Sequence, residues 1–112
     1  SRWTKPVIGL FNESMYSDGH CYASGFDDLD LGTSVGMPVP GTCSFAGWEG
    51  LPNGSFWGVV PVSAKNKAGE WLENNQTNPD IIVKNMPGEI DFGRDEQLEV
   101  AVDQMLRELD GQ

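Results

Sequence analysis

The first third of the chain changes from an apolar run to a helical pattern and back to an apolar run. Residues 6–11 are almost entirely apolar and end at the polar pair Asn12-Glu13. Such a run is typical of a strand buried on both faces, as in a parallel sheet. Apolar positions then recur with the spacing of one helix face, at Tyr22, Gly25, Phe26 and Leu29. Residues 33–39 predict a second short strand, so the order is that of a βαβ unit.

The rest of the chain predicts a hairpin, a short strand and a final helix. Residues 42–48 and 55–62 are strand-like and flank Asn53-Gly54, a dipeptide that is strongly favoured in hairpin turns. A short strand follows at residues 80–83. Asp95 can cap a last helix, whose apolar stripe comprises Leu98, Ala101, Val102, Met105 and Leu109. We therefore predict an α/β fold in which helices pack on a mixed sheet.

Aromatic residues are concentrated in and around the predicted hairpin. They are Phe45, Trp48, Phe56, Trp57 and Trp71. We expect them to form the core of the hairpin; the alternative is an exposed surface that binds sugar or peptide.

Length and charge limit the classes of partner. The 112 residues suffice for one domain with a modest core, and the formal net charge is −10. A chain this acidic is repelled by phosphate backbones and anionic lipids, which argues against a nucleic-acid partner. No apolar run approaches the roughly 20 residues of a membrane span. The chain starts at Ser1 without a methionine, so we expect it to be a piece of a longer protein.

The cysteines and acidic residues do not predict a metal or other cofactor. Cys21 and Cys43 have no Cys or His partner at zinc spacing, and the acidic stretch 27–30 does not fit a calcium loop. A disulfide between the two cysteines is compatible with the sequence. We expect free thiols instead, because two cysteines do not make a disulfide framework.

Ser17 lies where the apolar run gives way to the predicted helix. A hydroxyl at such a turn can act as a nucleophile, and the N–H of Asp18 would then point to the developing oxyanion. Local sequence alone favours a simpler role as helix cap, because Gly19 completes only half of the G-x-S-x-G elbow and Met15 replaces its first glycine. His20, the only histidine, is expected one turn later as a site-wall or surface residue rather than as the base. Glu73 lies in a polar loop, where a lone glutamate is usually solvated.

Three motifs together resemble the C-terminal-processing and tricorn-type serine peptidases, from Lys5 to Leu109. In that family a strand ends in asparagine and the nucleophilic serine follows five residues later, as Asn12 and Ser17 do here. Residues 29–36 are similar to the family's helix end and next strand. The most specific match is Leu72-Glu73-Asn74-Asn75 with Asn78-Pro79-Asp80 and the later Gly93-Arg94-Asp95-Glu96-Gln97-Leu98.

The resemblance implies a fold and a role for each matched residue. It implies a βαβ core of the ClpP/crotonase type, with Ser17 as nucleophile and the Asp18 backbone N–H in the oxyanion hole. Glu73 would be the acidic member of a Ser-His-Ser-Glu tetrad, and Asn12 and His20 would line the site. The branch with a lysine base is disfavoured because residues 41–48 contain no lysine.

The same resemblance implies that residues 1–112 are the C-terminal portion of one peptidase catalytic domain. The base histidine, the second serine, the other oxyanion donor and the peptide-binding PDZ module would lie outside this chain. We therefore expect the parent to cleave peptides or proteins without a cofactor and the isolated chain to be inactive; an oligomeric parent is compatible with the resemblance.

Two other functions stay open from the sequence. The first is a ligand- or peptide-binding module without catalysis, because retinoid-binding repeats resemble the same fold. The second is an acyl-thioester enzyme of the crotonase type, although it would lack the signature around Glu73 and Pro79-Asp80. A histidine in the parent sequence before this chain would favour the peptidase over the binding module.

Overall fold

The computed structural model describes residues 3–111, which form two helices and two small sheets. In chain order the elements are β1 (Ile8–Phe11), α1 (Asp18–Asp28), β2 (Thr33–Gly36), β3 (Ser44–Gly50), β4 (Phe56–Ser63), β5 (Ile81–Ile82), a 3-10 turn (Ile90–Phe92) and α2 (Glu96–Asp110). The predicted α/β fold is confirmed. The second strand ends at Gly36 rather than at Val39.

The three parallel strands form one sheet in the order β1-β2-β5. β1 and β2 pair in parallel from Ile8 opposite Thr33 to Phe11 opposite Gly36, and α1 connects them as predicted. Gly36 ends β2 at a φ of 136°, where an added Cβ would lie 1.8 Å from the carbonyl oxygen of Phe11. The close approach of the two strands at this point therefore requires glycine.

The core between α1 and the sheet is small. Phe11, Ala23, Phe26 and Val39 form it, and the rings of Phe11 and Phe26 meet edge to face at 5.8 Å. α1 buries Phe26 as predicted, but Tyr22 and Leu29 are exposed and His20, Ala23 and Ser24 are buried in their place. Leu10 is also exposed, so the prediction that β1 is buried on both faces is wrong within the described residues.

The hairpin of β3 and β4 forms where it was predicted, but its aromatic residues are not a core. The two strands pair antiparallel from Ser44 opposite Ser63 to Gly50 opposite Phe56. Trp48 and Phe56 are 72% and 74% exposed, and Phe45, Trp57 and Trp71 are also exposed. The reason is that β3 and β4 pack mainly on each other in a molecule 61 Å long and 27 Å thick.

α2 begins as the sequence predicts. The side chain of Asp95 accepts a hydrogen bond from the N–H of Leu98 at 3.1 Å, which caps the helix. Ala101 of the predicted apolar stripe is buried, whereas Leu98 and Val102 are half exposed. Neither helix within residues 3–111 has the length and apolar character needed to cross a membrane.

Candidate active site

Ser17 occupies a strained turn between β1 and α1. Its φ of 52° and ψ of −110° are unfavourable for any residue with a Cβ, and such strain costs about 1–3 kcal/mol. Its side chain makes no capping hydrogen bond to α1. Instead, its N–H donates to Oγ1 of Thr42 at 3.0 Å. The helix-cap role that local sequence favours is therefore wrong, and the strain points to a function for this turn.

A cleft of about 400 Å³ lies at this turn. Its lining residues are Tyr16, Ser17, Asp18, Thr42, Ser44, Phe45, Ala46 and Trp48. Asp18 is the first residue of α1, and within residues 3–111 its N–H donates to no other group. A free N–H at a helix start is suited to bind negative charge.

A larger cleft of about 540 Å³ lies elsewhere, between the N-terminal segment and the C-terminal part of α1. Trp3, Tyr22 and Leu29 contribute to its walls. None of the candidate catalytic residues from the sequence analysis lines this cleft. The smaller cleft at Ser17 is therefore the better candidate for an active site.

Glu73 is joined to the Ser17 cleft through Ser44. The hydroxyl of Ser44 donates to Oε2 of Glu73 at 2.5 Å. The Glu73 loop is fixed beside this segment because the N–H of Asn74 donates to the carbonyl of Gly41 at 2.9 Å. A Cβ on Gly41 would lie 2.3 Å from the backbone nitrogen of Asn75, so only glycine allows this approach.

Ser44 is the functional candidate that sequence reasoning missed. The absence of a lysine base in the stretch Gly41-Thr42-Cys43-Ser44 says nothing about its hydroxyl groups. The available signal was that two hydroxyl residues follow a glycine in a segment that the family resemblance already aligned with the active site.

His20 is completely buried, so the expectation of a site-wall or surface position is wrong. Its Nδ1 accepts hydrogen bonds from the N–H groups of Thr42 and Cys43, each at 3.0 Å. Nε2 therefore carries the proton and donates to Oγ1 of Thr77 at 3.1 Å. Burial lowers the pKa of His20, although the Glu73 carboxylate and a backbone group of Asn75 act in the opposite direction.

Asn12 lies apart from the Ser17 cleft. Its Oδ1 accepts a hydrogen bond from the N–H of Ser14 at 2.9 Å. It lines another cleft, of about 220 Å³, together with Asn85 and Gln97. The structure thus brings Ser17, Asp18 and, through Ser44, Glu73 together, but it does not bring Asn12 to them.

Cys21 and Cys43 form a disulfide, so the expectation of free thiols is wrong. The fold brings their Cα atoms to 5.0 Å, a separation that suits a disulfide. The count of two cysteines could not reveal this proximity. The bridge ties α1 to the segment that carries Thr42 and Ser44.

No group of three or more His, Cys, Asp or Glu side chains within residues 3–111 is arranged to hold a metal ion. The cleft offers the Ser17 hydroxyl and the Asp18 backbone N–H, and Ser44 connects it to the Glu73 carboxylate. These are the groups of acyl transfer.

Comparison with known proteins agrees with acyl-transfer chemistry, because the proteins that match are peptidases. The sequence profile of peptidase family S41 matches residues 1–83. The tricorn protease of Thermoplasma acidophilum is 26% identical over 117 aligned positions, which cover 92% of this chain. The chain spans about a tenth of that protein's length.

Two solved structures share the fold. The crystal structure of the tricorn protease superposes with a TM-score of 0.80 and 26% identity, over 94% of this chain and 10% of that one. The photosystem II D1 C-terminal processing protease superposes with a TM-score of 0.61 and 22% identity, over 70% of this chain and 20% of that one. With a profile match over most of its length, the chain belongs to peptidase family S41.

Proposed function

We propose that the protein containing this chain is a serine endopeptidase of the tricorn-like branch, with Ser17 as its nucleophile. The observation that carries the proposal is the strained turn that holds Ser17 in an open cleft beside the N–H of Asp18, which donates to no group within residues 3–111. Strain of this kind persists where function requires it. Similarity to the tricorn protease supports the branch.

In the proposed reaction, Oγ of Ser17 attacks the carbonyl carbon of a peptide bond. The N–H of Asp18 donates to the oxygen that becomes negative, and loss of one such donor typically costs about 10²–10³ in rate. The C–N bond then breaks, the amine leaves with a proton, and water hydrolyses the acyl-enzyme. The substrate is a peptide or protein, and the chemistry of the cleft calls for no cofactor.

The base of the proposed reaction comes from outside residues 3–111. Both ring nitrogens of His20 are engaged in hydrogen bonds within the fold, and no other histidine occurs in the chain. Residues 1–112 are proposed to be the C-terminal portion of one catalytic domain, in a parent that assembles as an oligomer. A second segment of that domain would bring the base to Ser17.

Glu73 is proposed to support that base through a serine hydroxyl, as in a Ser-His-Ser-Glu tetrad. Its carboxylate already accepts one hydroxyl hydrogen bond, from Ser44. Because a carboxylate offers about four acceptor sites, Glu73 can accept from a second serine at the same time. Its negative charge would favour the imidazolium that forms during attack.

Fluorophosphonate labelling of the full-length protein tests the nucleophile. We expect the label on Ser17, none in Ser17→Ala, and labelling slowed at least tenfold in Glu73→Gln. Ser63→Ala is a matched control, because Ser63 lies on the hairpin outside the cleft. A folded full-length protein that hydrolyses no peptide and leaves Ser17 unlabelled would support the non-catalytic binding module instead.

A further inference from the structure

His20 is a buried histidine for which the proposed reaction has no use. It lies one turn after Ser17 on α1 and is 0% exposed. The side chain nevertheless makes three hydrogen bonds, two at Nδ1 and one at Nε2. A buried polar group with this many partners fixes the segments that supply them.

One of those segments, residues 42–43, contributes Thr42 to the wall of the Ser17 cleft. Nδ1 of His20 accepts from the adjacent N–H groups of Thr42 and Cys43, and Nε2 donates to Thr77. Thr42 in turn accepts the N–H of Ser17 through Oγ1. The path from the imidazole to the Ser17 backbone thus contains one intervening residue.

We propose that His20 is a positioning residue that holds Ser17 in its strained conformation by fixing Thr42. The proposal rests on the proposed role of Ser17 as nucleophile. His20 touches no reacting atom in this assignment. It orients the Thr42 backbone so that Oγ1 stays in reach of the Ser17 N–H.

The cysteine bridge alone does not fix this geometry. It joins Cys21 to Cys43 and so limits the distance between α1 and the 42–43 segment. It leaves the direction of the two N–H groups undetermined. The acceptor at Nδ1 sets that direction, because both N–H groups must point to the same atom.

The positioning role requires a neutral imidazole. Protonation would put a hydrogen on Nδ1, where it would face the N–H donors of Thr42 and Cys43, and both hydrogen bonds would be lost. The charged group that acts on the ring is the Glu73 carboxylate, which favours protonation, and a backbone group of Asn75 does so as well. The other groups facing the ring, from the 42–43 segment and Thr77, are uncharged.

The first test is amide hydrogen exchange on the full-length protein, which does not depend on activity. In His20→Ala we expect exchange at Ser17, Thr42 and Cys43 to become at least tenfold faster than in the wild type. In His20→Asn exchange should stay within about threefold of the wild type, since the asparagine Oδ1 takes the place of Nδ1. Ser24→Ala, which removes another buried polar group of α1, should leave these amides unchanged.

His20→Gln keeps the proposal testable if His20→Ala does not fold. Glutamine places its amide near Nε2 rather than Nδ1, so it can reach Thr77 but leaves the 42–43 segment without an acceptor. We expect fast exchange at residues 42 and 43 in His20→Gln and slow exchange in His20→Asn. Equal protection in both variants would overturn the proposal.

The second test is the pH dependence of fluorophosphonate labelling at Ser17. The catalytic base titrates in both wild type and His20→Asn. The labelling rate of the wild type divided by that of His20→Asn therefore isolates the effect of His20. Because the pKa of His20 is lowered, the ratio should be constant at neutral pH and fall only below pH about 6.5, as the imidazole gains a proton. At neutral pH, His20→Gln should label about tenfold or more slowly than His20→Asn.

The two tests separate failure of this inference from failure of the proposed function. If Ser17 is never labelled but His20→Ala exposes the Ser17 amide, the nucleophile assignment is wrong and the hydrogen-bond path is right. If Ser17 is labelled at the same rate in His20→Ala, His20→Asn and wild type, with a ratio that does not vary with pH, His20 is not a positioning residue.

Discussion

At the scale of single residues, the conformation of Ser17 is the feature with the clearest energetic consequence. A φ of 52° with a ψ of −110° penalises every side chain that has a Cβ. Glycine pays no such penalty. Serine at this position therefore lowers the stability of the fold but supplies a hydroxyl at the start of α1, as expected for a nucleophile.

The effect of replacing Ser17 on the free energy of unfolding should therefore depend on whether the new residue has a Cβ. We expect Ser17→Gly to have a free energy of unfolding about 1 kcal/mol higher than Ser17→Ala, because only glycine relieves the strain. Urea denaturation of both variants measures the difference. Both lack the hydroxyl, so a lost hydrogen bond cannot account for the result; equal stabilities would mean that the turn is unstrained.

At the scale of elements, two close connections hold the cleft together. One is the approach of the Gly41 segment to the loop that carries Glu73, and the other is the disulfide from α1 to Cys43. Both act on the segment that supplies Thr42 and Ser44. We therefore derive one prediction from the Gly41 contact and another from the disulfide.

Gly41→Ala should disturb the site through sterics. Its Cβ would meet backbone atoms of Asn74 and Asn75 at 2.9 Å or less, and backbone cannot move aside cheaply. We expect a loss of about 1–3 kcal/mol in the free energy of unfolding, as in overpacked cores, and slower labelling of Ser17 in the full-length protein.

Gly25→Ala is the matched control for this substitution. Gly25 lies within α1, and a Cβ there would have no neighbour within 4 Å. We expect it to stabilise the fold by about 0.5–1 kcal/mol, because alanine favours a helix interior more than glycine does. A similar loss of stability in both variants would contradict the steric explanation for Gly41.

Reduction of the disulfide should weaken the fold and the cleft together. The cysteines are 22 positions apart, and a bridge closing a loop of that length is worth about 3 kcal/mol in the chain-entropy model. We expect the urea midpoint to fall on addition of reductant. The double variant Cys21→Ser/Cys43→Ser should have the lower urea midpoint even without reductant. Adding reductant should not change its midpoint further. Alkylation of both cysteines in the folded, unreduced protein would contradict the bridge.

At the scale of the whole molecule, local patterns predicted the elements and long-range contacts decided the rest. Three local signals correctly predict elements of the fold: the apolar run before Asn12 predicts β1, the Asn53-Gly54 turn predicts the β3–β4 hairpin, and the Asp95 cap predicts α2. The pairing of Cys21 with Cys43 and the contact of Ser44 with Glu73 join segments 22 and 29 positions apart. Neither contact follows from spacing, so both had to be read from the fold.

Burial was the property that the sequence predicted least well. An apolar pattern indicates that a face avoids water, but it does not indicate what covers that face. Leu10 on β1 and Val102 on α2 have the predicted pattern, and both are half exposed beside an apolar groove of about 260 Å³. His20 shows the reverse error, because its burial depends on partners from segments 42–43 and 77 rather than on its neighbours in α1.

The isolated chain should not hydrolyse peptides, although it carries the proposed nucleophile. Its one histidine is held by three hydrogen bonds and offers no free nitrogen to Ser17. Without a base, a serine enzyme keeps only the small acceleration that comes from oxyanion stabilisation and binding. Hydrolysis of a fluorogenic peptide library by the isolated chain should therefore equal that of its Ser17→Ala variant.

The full-length protein and its Ser17→Ala variant are the matched pair for this experiment. We expect the full-length protein to cleave peptides and the variant to be inactive, because the base reaches Ser17 only when the remaining segments are present. Cleavage by the isolated chain that Ser17→Ala abolishes would mean that residues 1–112 contain a complete catalytic site. His20 would then have to leave Thr42 and Cys43 during turnover, and its role as a positioning residue would fail together with the proposed external base.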